Sequence, residues 1–214
     1  METKLITKRY ESALAGQFAD LQSIRRDLNR TIEMLNLLVP EFNKPDDQQN
    51  SVLIEGLWSA GLVNYARCFA EGKRWKLDES TIFVGLPEIA LSTHKWALGM
   101  RNKLIAHSVN PFEECMTHIA VDESDMPKSW GIGFFLAILV HQKKEGAANL
   151  VLLCELLRDK VRDKCEALQK ELQIEVNKLT SNDLKKLPLA VYTAPGADAA
   201  TAVRMSSGEP PLKS

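Results

Sequence analysis

No stretch of the chain is apolar for the roughly 20 residues that a membrane-crossing helix requires. The longest apolar run, 132–140, is less than half that length. The opening residues, Met-Glu-Thr-Lys-Leu-Ile-Thr-Lys-Arg, hold no apolar core of a secretory leader. Cysteine is scarce. Cys68, Cys115, Cys154 and Cys165 form no Cys-x-x-Cys pair and no spaced Cys/His set, which points to buried or neutral thiols in a reducing cytosol. The histidines, His94, His107, His118 and His141, are scattered without a ligand pair, so no metal is expected. Neither sign of charge dominates. With 27 Lys+Arg against 28 Asp+Glu, a net of −1, bulk charge argues against gripping nucleic acid and leaves room only for a local basic patch. Walker, GxGxxG, GxSxG and HExxH patterns are missing as well. The expectation is a cytoplasmic protein with no cofactor and no membrane partner.

What is present is ordinary globular composition: 214 residues, 45% apolar and 26% charged, enough chain for one domain or at most two and a real core. Prolines at 40, 45, 87, 111, 127 and 188 bound the intervals where helices can run. The interval 4–39 spaces Leu14, Leu21, Leu28 and Leu35 by sevens, with Phe18, Ile32 and Val39 in a second seam that Arg25 interrupts beside Ile24. A helix of that length needs an equally long partner. The interval 145–182 supplies one, with Leu150, Leu153, Leu157, Val161, Leu168, Leu172, Val176 and Leu179 at threes and fours. The first helix could pair with this one within a chain or with a copy of itself.

Two shorter helices are predicted between the long ones. The first covers 47–71 with Leu53, Leu57, Val63, Ala66 and Phe69 inward; the second covers 87–107 with Ile89, Trp96, Met100, Leu104 and Ile105 inward. Alternation of Cys115, Thr117, Ile119 and Val121 with polar or small neighbours, then a turn near Pro127 and an apolar run, predicts a β-hairpin at 114–140, with a short buried helix at 132–140 as the alternative. The sequence is therefore read as a mainly α protein, an antiparallel helical bundle of about four main helices with a β-hairpin insertion. The helical domain occupies 1–187, and 188–214, rich in Pro, Gly, Ala, Ser and Thr, reads as a disordered tail.

One segment concentrates polar chemistry: Met-Arg-Asn-Lys-Leu-Ile-Ala-His-Ser at 100–108, closing an apolar helix just before Pro111. Basic residues there could simply complement the helix dipole. Yet Arg101, the polar Asn102 and His107 six positions on resemble the Rx4-6H motif of the HEPN superfamily of helical nucleases and nucleotide-binding proteins. Upstream, Leu-Trp-Ser-Ala-Gly-Leu-Val-Asn-Tyr-Ala-Arg-Cys-Phe at 57–69 is similar to HEPN proteins of the abortive-infection type. The resemblance covers about residues 50–110; the flanking long helices agree in architecture.

That resemblance implies a metal-independent endoribonuclease of a toxin or phage-defence type, a homodimer whose two motifs face one cleft. By the same resemblance, His107 would move the proton between the ribose 2′-hydroxyl and the leaving oxygen. Arg101 would neutralise the phosphate, and Asn102 would position His107 or the substrate. The residue types suit the roles, since imidazole titrates near neutrality and a guanidinium fork matches a phosphate. On an ideal helix, six steps of 100° leave Arg101 and His107 about 120° apart, so they share a face only if the last turn distorts or two subunits combine. Lys103 and His107, four apart, share a face more readily; His94 and Arg101 share another, but His94 is read as structural.

Residues 50–110 carry seven basic and five acidic side chains, whereas 111–145 carry three and six. Arg67, Lys73 and Arg74, with Lys103, are the candidate RNA-binding residues. Trp75 beside them could stack on a base or close the core. A non-catalytic helical module binding a nucleotide or a protein partner, such as an antitoxin, is the alternative reading.

Overall fold

The computed structural model describes residues 5–105, 113–138 and 144–191. The Ser12 hydroxyl accepts a hydrogen bond from the Ala15 amide and starts helix α1 (Ala13–Asn36) well inside the interval expected from proline spacing. Its inward stripe is Leu21, Ile24, Leu28, Ile32 and Leu35, so the heptad leucines do face the core, with Ile24 spanning the interruption at Arg25. A short α2 (Val39–Phe42) carries Pro40 in its first turn, and Leu38 rather than Val39 is buried.

The partner of α1 is α6 (Lys144–Val176), within the same chain. The two run antiparallel. At one end Tyr10 Oη donates to Glu175 Oε1 at 2.6 Å, and at the other Lys144 Nζ donates to Asn43 Oδ1 at 2.7 Å. Leu150, Leu153, Leu157 and Val161 of α6 enter the core together with Cys154 and Cys165.

Helix α3 (Ser51–Arg67), capped by Asn50, completes the centre. Its buried stripe is Ile54, Trp58, Leu62 and Tyr65, one position away from the Leu53 and Leu57 face expected from the sequence. The rotation turns the two largest aromatics inward and lays Gly61 against Leu35 of α1. After the short α4 (Glu79–Ile82), helix α5 (Glu88–Met100) shows a similar reversal: Ala90, Thr93, His94, Ala97 and Met100 are buried, while Ile89 and Trp96 are exposed. Small residues on the inner face let α5 sit close to α3 and α6.

The hairpin is present, and the helical alternative at 132–140 is not. Strand β1 (Glu113–Val121) pairs antiparallel with β2 (Ser129–Ile138), Glu113 opposite Ile138 and Val121 opposite Ser129, with a bulge after Ala120. Among the described residues, neither strand packs substantially against a helix. After α6, Thr180 and Asp183 form a reciprocal capping box that starts α7 (Ser181–Lys186). The tail expected from 188 onward is at first tied down: the Arg9 amide donates to the Pro188 carbonyl at 2.8 Å and the Ala190 amide to the Thr7 carbonyl at 3.1 Å. Its remainder lies outside the described residues. Among those described, no helix is long and apolar enough to cross a membrane.

Candidate functional site

Helix α5 runs without a break into a π-helical turn, Arg101–Ile105. Such turns are rare, widen the backbone hydrogen-bonding to i→i+5, and concentrate at functional positions. This one falls on the polar motif. Arg101 Nη1 donates to Asn102 Oδ1 at 3.0 Å, which orients the guanidinium at the surface, and Lys103 is exposed beside it. The distortion that a shared Arg101/His107 face requires thus occurs in the turn leading up to the histidine. His107 itself lies outside the described residues.

The other predicted basic residues gather elsewhere. Helices α3 and α5 run antiparallel, since Tyr65 meets His94 while Trp58, earlier in α3, meets Trp96, later in α5. Arg67, at the last position of α3, therefore sits roughly 14 Å along the axis beyond Trp58, and Arg101 lies past Trp96 in the opposite direction. The structure does not bring Arg67, Lys73 and Arg74 beside Arg101.

At that far end the buried carboxylate of Asp27 organises the cations. Arg74 Nη1 bonds Asp27 Oδ2 at 2.6 Å and Ser23 Oγ at 3.1 Å, while its Nη2 donates to the Arg67 carbonyl at 2.6 Å. Arg74 is buried and its donors are committed to the fold. Arg67 stands 3.7 Å from the same Asp27 oxygen and is half exposed. Lys73 is exposed, and Lys76 pairs with Glu71. Trp75 packs partly into the core with Lys164 Nζ 5.8 Å above its ring, and its amide donates to Asp20 at 2.9 Å. Lys73, Arg74, Trp75 and Asp20 line a shallow groove of about 430 Å³ with Gly16 and Gly72.

One polar group with no assigned function sits at the centre of the bundle. His94 is wholly buried, its ring 4.4 Å from Phe69 and 4.8 Å from Phe83 between centroids. The Tyr65 hydroxyl is 2.7 Å from His94 Nδ1, and Glu79 Oε1 is 3.2 Å from Nε2, off the line of a good hydrogen bond. Burial pushes the Tyr65 phenol far up, so it stays protonated. Burial also pushes His94 down, partly opposed by the Glu79 carboxylate. A neutral imidazole facing a carboxylate carries its proton on Nε2, leaving Nδ1 to accept from Tyr65. Closed off from solvent, this histidine ties α3 to α5 and so sets the position from which the π-turn departs. The sequence signal for it was the aromatic set Tyr65, Phe69 and Phe83, legible as apolar bulk but not as a histidine cage.

Compared with family models, with curated proteins and with solved structures, the chain gives no match.

Proposed function

We propose that the chain is a HEPN-like, metal-independent endoribonuclease of a toxin or phage-defence type that acts as a homodimer. The observation that carries the reading is the π-helical turn bearing Arg101 and Asn102 at an exposed helix end. In this reaction the ribose 2′-oxygen attacks the adjacent phosphorus and the 5′-oxygen of the next nucleotide leaves. His107 takes the 2′ proton and returns one to the leaving oxygen. Arg101 stabilises the charge gathered on the phosphate, with Asn102 holding its guanidinium in place. Lys103 adds a cation on the same turn. Lys73 and the exposed part of Arg67 lie too far along the bundle to touch the reacting phosphate, but can meet the RNA strand at a distance from it.

The test is incubation with total RNA or tRNA in EDTA. The wild type cleaves, and His107→Ala and Arg101→Ala each lose 100-fold or more, the scale of a lost general acid–base or charge-stabilising group. Equal cleavage by wild type and His107→Ala, or none by the wild type, defeats the proposal. The second result would favour a non-catalytic module.

A further inference from the structure

The hairpin is built in a way that a lone chain does not support. A two-stranded hairpin is at best marginally stable in water. Nevertheless, Ile119 and Val121 of β1 share one face with Trp130, Ile132 and Phe134 of β2, a set fixed by strand alternation and by the pairing of Ile119 with Ile132 and Thr117 with Phe134. Trp130 is 77% exposed, Ile132 78% and Phe134 67%. No ionisable carboxylate or cation interrupts that face between Cys115 and Val121 or between Trp130 and Phe134. The reverse face differs: His118 folds over Gly133 and stacks on Phe135 at 4.3 Å.

The anchor on the apolar face is held in place. Trp130 Nε1 donates to Asp122 Oδ2 at 2.8 Å, and Ser124 and Trp130 together hold the Asp122 carboxyl down at about 2. An exposed indole fixed in one rotamer gives up little entropy on binding, which is the property of a hot-spot residue.

We propose that this face is a self-association surface on which two copies of the chain pack their hairpins together, antiparallel, the turn of each lying by the base of the other. Two arguments select a second copy. The five apolar residues offer roughly 700 Å² per protomer, close to the ~800 Å² that a standard interface takes from each partner. The charges also complement each other in that arrangement. The turn is acidic, with Asp122, Glu123 and Asp125 against Lys128 alone, whereas exposed Lys103 precedes the hairpin and exposed Lys144 follows it. An acidic tip disfavours insertion into an anionic membrane.

The hairpin leaves the bundle from the end that carries the π-turn, so such pairing would place two copies of the Arg101 segment on one side of the dimer. The inference rests on the homodimer in the proposed function, not on cleavage, and its readout is mass.

Sedimentation of the full chain between about 1 and 100 µM is expected to show a species of twice 24.0 kDa. Phe134→Glu and Ile132→Lys should weaken it at least tenfold, while Phe135→Lys on the reverse face leaves it unchanged. Circular dichroism checks that the helices persist. A charge exchange guards against a variant that merely disrupts the hairpin: Asp125→Lys and Lys144→Glu each weaken the dimer, and the double variant restores it. A wild-type monomer at 100 µM overturns the proposal, as does a dimer indifferent to Phe134→Glu. So does a monomer that instead binds phosphatidylglycerol or phosphatidylcholine vesicles. Loss of RNA cleavage with the dimer intact would count against the proposed function alone.

Discussion

Leu28 of α1 is fully buried, whereas Phe134 of β2 leaves most of its ring in solvent. These two residues stand for the two regions they occupy. In the bundle, every large side chain on the inner stripe of α1, α3 and α6 finds neighbours, and buried polar groups are partnered: Asp27 by Arg74, and Tyr65 by His94. In the hairpin, backbone pairing is complete along the register but the side chains of both faces stay largely open. Backbone hydrogen bonds alone add little net free energy. The bundle is therefore self-sufficient, and the hairpin depends on what covers it.

Equal truncations break the comparison most sharply. Leu28→Ala removes a side chain from a close-packed core and should cost about 4 kcal/mol of unfolding free energy, because the cavity cannot collapse. Phe134→Ala removes a larger side chain yet should change the unfolding of the monomeric bundle by no more than about 0.5 kcal/mol. Urea unfolding followed by helical circular dichroism, at protein concentrations too low for self-association, measures both. A large loss in Phe134→Ala would show that the hairpin packs on the bundle after all.

The same division governs how much the residues announce. Periodicity located every major helix and the hairpin, because proline positions and apolar spacing act through local geometry. It misjudged the inner faces of α3 and α5. Leu53, Leu57, Ile89 and Trp96 fit a hydrophobic ranking, but the packing instead turned inward Trp58, Tyr65, Ala90, His94 and Ala97, a choice made by shape between helices. For the site, the Arg101 segment was legible as a motif, and its π-turn was not. The spread of Arg67 and Arg74 away from Arg101 follows from the antiparallel run of α3 and α5, which no local spacing encodes. Arg74 looked like a surface cation only because its carboxylate partner, Asp27, is 47 residues away in sequence.

A smaller effect separates the two regions by pH. His94 has its pKa lowered by burial, so the folded state binds its proton less readily than the unfolded chain does. Stability from this group is then complete above the ordinary histidine value near 6.5 and falls as pH drops below it, by at most about 1.4 kcal/mol per pH unit until the folded-state value is reached. Melting temperatures measured from pH 7.5 down to 5 should decline more steeply in the wild type than in His94→Gln, although that variant is less stable throughout. His118→Gln, which alters only the hairpin, should follow the wild-type profile. Parallel slopes in wild type and His94→Gln would mean that other groups set the acid limit.

The smallest expected effects come from one alanine in each region. Gly85, in the turn before α5, has φ +75°, and nothing lies within 4 Å of where a Cβ would stand. Gly85→Ala therefore meets no neighbour and costs only the left-handed backbone penalty, roughly 1 kcal/mol, read as a lower melting temperature of the whole bundle. Gly133 shows the reverse balance. A Cβ there would come within 2.6 Å of His118 Nε2, yet the imidazole is a half-exposed side chain that can rotate away from Phe135. Gly133→Ala should leave bundle unfolding unchanged and speed amide exchange only in β1 and β2, because the loss stays within a hairpin that the helices do not need. A global loss in Gly133→Ala as large as in Gly85→Ala would erase the distinction between a bundle that stands alone and a hairpin that does not.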